Sequence, residues 1–190
     1  MAGAAGDHRT ETNPDPERAA RLFTEAERNA NSVRDKPWKW SALSDVASAL
    51  AASDPDRAER IADPIRNWES KAAALTDVAW ALAASDPDRA ERVAGSIADH
   101  YSRAAALSRV AAAVAGTDPG RADRLFAAAE HAASSRLGAL WSMAAQSDLA
   151  AALAVRDPDR AERIAGSITD EPAKAAALTE IARALAATSS

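Results

Sequence analysis

Three histidines, a recurring Asp-Pro motif and a spaced set of carboxylates are the residues of this 190-residue chain with the most chemistry in them. Asp-Pro-Asp-Arg occurs at 54, 86 and 157, and close variants occur at 15 and 118. Two carboxylates beside a guanidinium could hold a cation or a phosphate. The same four residues also make a helix start: Asp caps the first turn, Pro suits its first position, and the second Asp favours the positive end of the dipole. Because the motif recurs at each expected helix start, the cap is the stronger reading. His8, His100 and His131 have no second histidine or carboxylate at metal-ligand spacing, and the zinc motif HExxH is absent. The sequence has neither a glycine-rich phosphate loop nor a nucleophile elbow. It also has no Cys, which removes disulfides and thiolate metal sites. No catalytic residue, cofactor or metal is assigned, and the chain is expected not to be an enzyme.

The elements that position these residues follow from internal recurrence. Asp-Pro at 15, 54, 86, 118 and 157 opens five units spaced 39, 32, 32 and 39 residues apart. The unit from 15 matches that from 118, both long and both carrying Leu-Phe (Leu22-Phe23, Leu125-Phe126), which gives a super-period of 103 residues. Each unit reads as two helices. The first is expected at 16–32, 55–66, 87–98, 119–133 and 158–168, with Asp56–Arg60, Asp88–Arg92 and Asp159–Arg163 as i,i+4 ion pairs. The second is expected at 37–52, 70–84, 102–115, 136–155 and 172–187. Its apolar stripe is Leu43/Val46/Ala47/Leu50, then Leu75/Val78/Ala79/Leu82, Leu107/Val110/Ala111/Val114 and Leu178/Ile181/Ala182/Leu185, the i, i+3, i+4, i+7 pattern of an amphipathic helix. In the fourth unit Gln146 stands where Leu is expected, so Leu140 and Met143 of a longer helix are expected to take over.

The fold class is therefore all-α, with five antiparallel hairpins over 15–187 and tails at 1–14 and 188–190. One hairpin cannot bury its own apolar faces, so the units must stack into an elongated array. With 54 alanines and 4% aromatics, the core rests on close helix approach rather than on large side chains.

The pattern AL-x-x-VA-x-AL then DP-x-RA-x-R, carried by Leu75, Val78, Ala79 and Leu82 and by Ala90 and Ala94, resembles tetratricopeptide-like repeats, with HEAT-like repeats as the neighbouring family. The resemblance implies an α-solenoid, a right-handed superhelical stack whose concave surface binds peptides or partner proteins. It implies no specific ligand.

Residues that recur off the core stripe are the recognition candidates. One column on the second helices is Asp45, Asp77, Arg109, Asp148 and Glu180, four of five acidic. It could form a groove for a basic peptide, or it could be a solvated face with Arg109 paired to Asp77. The next column holds Trp80 and Arg183 beside Ser48, Ala112 and Ala151; Trp80 is either an anchor for a partner or packs on small neighbours. A third column, Ser44, Thr76, Ser108, Ser147 and Thr179, is hydroxyl throughout and is expected to bond back to the i−4 carbonyl. Trp38, Trp40, Trp68, His100, Tyr101 and Trp141 gather where first helix meets second, either as plugs closing the helix ends or as an aromatic rim.

Net charge is −5 with no basic block, so nucleic acid is not an expected partner. No apolar run is long enough for a membrane span, and residues 1–13 do not read as a signal peptide, so a cytoplasmic location is expected. Arg outnumbers Lys 19 to 4, a bias of GC-rich bacterial genes. The leading expectation is an interaction module for a protein or peptide. Its rivals are a small-molecule-binding or enzymatic helical domain that uses the aromatic rim, and a self-associating array that dimerises through an open C-terminal end.

Overall fold

The computed structural model describes residues 15–134 and 139–188, so the expected tail at 1–14 lies outside the described residues; of the expected tail at 188–190, Thr188 is the last residue of a helix and 189–190 lie outside. Among the described residues there are ten helices and no strand. The first helices of the units are α1 (Pro16–Ser32), α3 (Pro55–Ala62), α5 (Pro87–Ser96), α7 (Pro119–Ala133) and α9 (Pro158–Gly166). The second helices are α2 (Lys36–Leu50), α4 (Trp68–Leu82), α6 (His100–Val114), α8 (Ala139–Leu153) and α10 (Glu171–Thr188).

The Asp-Pro motif is a cap at all five sites. The carboxylates of Asp15, Asp54, Asp86, Asp118 and Asp157 accept from the backbone N–H groups of Arg18, Arg57, Arg89, Arg121 and Arg160 at 2.8–3.0 Å. Each cap is worth about 1 kcal/mol. Pro64 cuts α3 short of the expected end at 66. α4, α6 and α10 begin one or two residues earlier than the stripe alone suggested, because Asn67, Asp99 and Asp170 accept from Ser70, Ser102 and Ala173 N–H at 2.7–2.9 Å.

The long units differ in one place. Their first helices α1 and α7 run 17 and 15 residues, against 8, 10 and 9 for α3, α5 and α9. Seven extra residues are about two turns and return the helix to nearly the same face, within ~20°. In the fourth unit the described part of α8 is Ala139–Leu153; the expected start at 136 lies outside the described residues, and the helix ends two residues before the expected 155. Its register is intact, with Leu149, Ala150 and Leu153 buried and Gln146 half-buried in the missing leucine's place.

The second helices pack side by side from α2 to α10, and each first helix from α3 to α9 docks between the two second helices that flank it. The stripes of α2, α4, α6 and α8 join Ile61, Val93, Leu125 and Ile164 in one continuous core. Ala58, Ala90, Ala122 and Ala161 are fully buried at the closest approaches. Ala90→Leu is expected to overpack the α5 junction and cost about 1–3 kcal/mol, read as a lower midpoint in denaturant unfolding.

The first helices meet one another through arginines. Arg57 on α3 reaches Glu27 on α1 at 2.7 Å. Arg89 on α5 bridges Asp56 and Glu59 on α3 at 2.5 and 2.8 Å. Arg121 on α7 pairs with Asp88 on α5, with Glu91 at 3.7 Å. Arg160 on α9 reaches Glu130 on α7 at 2.7 Å. Of the expected i,i+4 pairs, Asp56 and Asp88 turn to the arginine of the following unit rather than to Arg60 and Arg92 on their own helices, with the Arg89 guanidinium shared between Asp56 and Glu59; Asp159 pairs neither with Arg163 nor with a ladder arginine among the described residues. No described helix is long and apolar enough to cross a membrane.

Candidate functional site

The layer of second helices presents a groove of 380 Å³ between α4 and α6. Ala73 and Ala105, matching positions one unit apart, leave room for it. Trp68 and Tyr101 stand at one end, in the first turns of α4 and α6, with Glu69 beside them. Thr76, Asp77 and Arg109 line the other end. A second depression, of 440 Å³, lies between Glu59, Arg60, Asp63 and Lys71. Its rim is charged, whereas the α4–α6 groove is walled by aromatic rings and alanine.

The polar end of the groove is pre-assembled. Arg109 donates to Asp77 at 3.2 Å, and its guanidinium lies 5.0 Å from the centre of the Trp80 ring. A cation over an indole at an exposed site contributes ~0.5–1 kcal/mol. Trp80 therefore packs on the arginine of the neighbouring unit and keeps more than half of its surface exposed. At the aromatic end the Tyr101 hydroxyl donates to Asp148 on α8 at 3.2 Å. Loss of water around the Asp148 carboxyl pushes its pKa up, although the residue as a whole is exposed; the hydrogen bond from Tyr101 acts the other way. The Tyr101 phenol is pushed up by burial first, then by the Asp148 charge and hydrogen bond and by Asp99.

The structure thus brings two separate sequence candidates into one place. Asp77 and Arg109 of the acidic column meet Trp68 and Tyr101 of the aromatic rim, with Trp80 on the flank. The rest of the column does not converge on the groove floor. Asp45 on α2 is exposed and unpaired among the described residues, and Glu180 pairs with Arg183 on its own helix α10. Most of the column's charges are therefore engaged within the chain. His100 accepts from the Arg103 side chain at 2.6 Å and stays out of the groove lining.

The aromatic rim splits by role. Trp40 is half-buried against the core, as a plug should be, with Lys39 5.8 Å from its ring centre. Trp38 is 71% exposed and plugs nothing. The Trp141 side chain lies outside the described residues. In the hydroxyl column Thr76, Ser108 and Thr179 donate to the i−4 carbonyls of Ala72, Ala104 and Ala175 at 2.8 Å, as expected. Ser44 instead donates across to the Ser70 carbonyl on α4 at 2.8 Å. These hydroxyls are committed to the fold.

The groove positions that sequence reasoning missed are Glu69, Ala73, Ser102 and Ala105. Their signal was the pair of small residues one unit apart and one turn beyond the aromatics. Among the described residues no cluster of three or more His, Cys, Asp or Glu could hold a metal ion. No protein-family model, curated protein or solved structure matches this chain.

Proposed function

We propose that the chain is an interaction module of the α-solenoid kind, related in architecture to tetratricopeptide-like and HEAT-like repeats, which binds an extended segment of a partner protein on its second-helix face. The observation that carries this reading is the α4–α6 groove: open to solvent, floored by alanine, gripped by Trp68 and Tyr101 at one end and closed by the Asp77–Arg109 pair at the other. Exposed aromatic rings beside a small-residue floor form the kind of anchor site that dominates binding energy at protein interfaces. The second helices touch directly, while the first helices are spanned by arginine side chains. Closer spacing on the second-helix side supports curvature toward that face, which makes it the concave one.

The partner segment is read as basic or amphipathic. Glu69 and Asp45 are exposed carboxylates with no partner among the described residues, and net charge is −5. A cytoplasmic location belongs to the same proposal.

The test is capture from native lysate by wild type and by a variant carrying Lys at Asp45, Asp77, Asp148 and Glu180, followed by direct titration of the captured protein. Binding by wild type that the folded variant loses is the expected result. Equal capture by both forms would take the site off this face. If neither form captures a protein, the small-molecule reading of the groove takes precedence.

A further inference from the structure

The first and last described helices, α1 and α10, present the two halves of a junction that the chain also makes inside itself. Where α7 follows α6, Leu125 and Phe126 are 2% and 1% exposed. They pack with the α6 stripe of Leu107, Val110, Ala111 and Val114, all buried. Arg121 reaches back to Asp88 and Glu91 on α5. α1 repeats the start of α7: Arg18, Ala19, Leu22 and Phe23 stand where Arg121, Ala122, Leu125 and Phe126 do. Yet Leu22 is 57% exposed, Ala19 is exposed, and the Arg18 side chain has no partner among the described residues.

The opposite end is the missing counterpart. α10 repeats the α6 stripe as Leu178, Ile181, Ala182 and Leu185; Ile181 is buried in the core and Leu185 half-buried against it, but Leu178 is 42% exposed and Ala182 is exposed. Asp159 and Glu162 on α9 occupy the positions of Asp88 and Glu91 on α5 and have no partner among the described residues. One end offers an arginine and a Leu-Phe pair; the other offers two carboxylates and an apolar stripe left open at Leu178 and Ala182.

We propose that a second copy of this chain docks head-to-tail, with α1 of one copy seated on α9 and α10 of the next as α7 sits on α5 and α6. Arg18 then bridges Asp159 and Glu162 and continues the arginine ladder across the contact. Leu22 and Phe23 cover the open part of the α10 stripe at Leu178 and Ala182. The apolar contact drives association, and the ion pairs set register and direction. A symmetric contact would oppose acid to acid or arginine to arginine, which disfavours it. A head-to-tail contact does not close on itself as a dimer, so the assembly is a ring or an open filament.

Sedimentation velocity on the full chain over a concentration series tests this. Three samples are compared: wild type, Arg18→Glu, and the double variant Asp159→Arg/Glu162→Arg. All three positions are exposed, so helicity by circular dichroism should be unchanged. Wild type is expected to grow beyond monomer mass with concentration. Each variant alone should need about 100-fold more protein to do so, since a like-charge contact replaces an attractive one. An equimolar mixture of the two variants should regain association, because each supplies the end the other lacks. Wild type that remains monomeric to about 1 mM would overturn the proposal. So would association that neither variant weakens, which would mark a symmetric contact, or a mixture that fails to recover.

Discussion

Phe126→Ala is expected to destabilise the chain by about 3–5 kcal/mol, whereas Phe23→Ala at the matching position of α1 costs far less. Phe126 is among the largest fully buried side chains and sits at the α6–α7 junction, the most extensive helix contact in the molecule. The buried core is largely alanine and valine, short side chains that cannot swing in to fill a void. The cavity left by the missing ring therefore stays open, and the cost lies toward the upper part of that range. Phe23 is only half-buried, and less of its ring is removed from water in the first place. Urea unfolding of both variants measures the difference. Equal losses would mean that the two long units are packed alike, contrary to the exposure of α1.

Trp68→Ala is expected to weaken partner binding by about 30-fold or more while leaving thermal unfolding nearly unchanged. Trp68 is more than half exposed and contributes little to the core, so its truncation should not threaten the fold. In the groove it forms one wall, and an aromatic anchor in a partly desolvated site carries more energy than its neighbours. Tyr101 is the less informative substitution, because its hydroxyl also holds Asp148 on α8 and its loss would perturb two helices. Trp38→Ala, on a still more exposed ring away from the groove, serves as the control. Calorimetric titration with the captured partner reads both. A loss shared by Trp38→Ala would indicate a diffuse aromatic rim rather than a groove.

Much of this architecture was legible in the residues. The Asp-Pro caps fixed the five first-helix starts, and the Leu/Val/Ala/Leu stripe identified the buried face of the second helices. Both are local signals, set by capping chemistry and by a 3.6-residue period. The starts of the second helices were less visible, since their caps, Asn67, Asp99 and Asp170, carry no proline to announce them. Two features needed the third dimension. The carboxylate of Asp56 could be assigned to Arg60 or to Arg89, 33 residues on, and only the stacking distance decides for Arg89. The groove depends on what is small: Ala73 and Ala105 look like helix filler in sequence and become a floor only when α4 and α6 lie side by side. Gln146 misled in the other direction. A polar residue on the stripe suggested a shifted register, but a half-buried amide at the layer edge is tolerated without any shift.

The most direct test of the interaction reading is hydrogen–deuterium exchange of the full chain, free and saturated with the captured partner. Binding in the groove should slow exchange in α4 and α6, around Trp68–Asp77 and Tyr101–Arg109, and leave the odd-numbered helices unchanged. Slowing confined to α1, α3, α5, α7 and α9, with α4 and α6 unaffected, would place the partner on the opposite face and contradict the account.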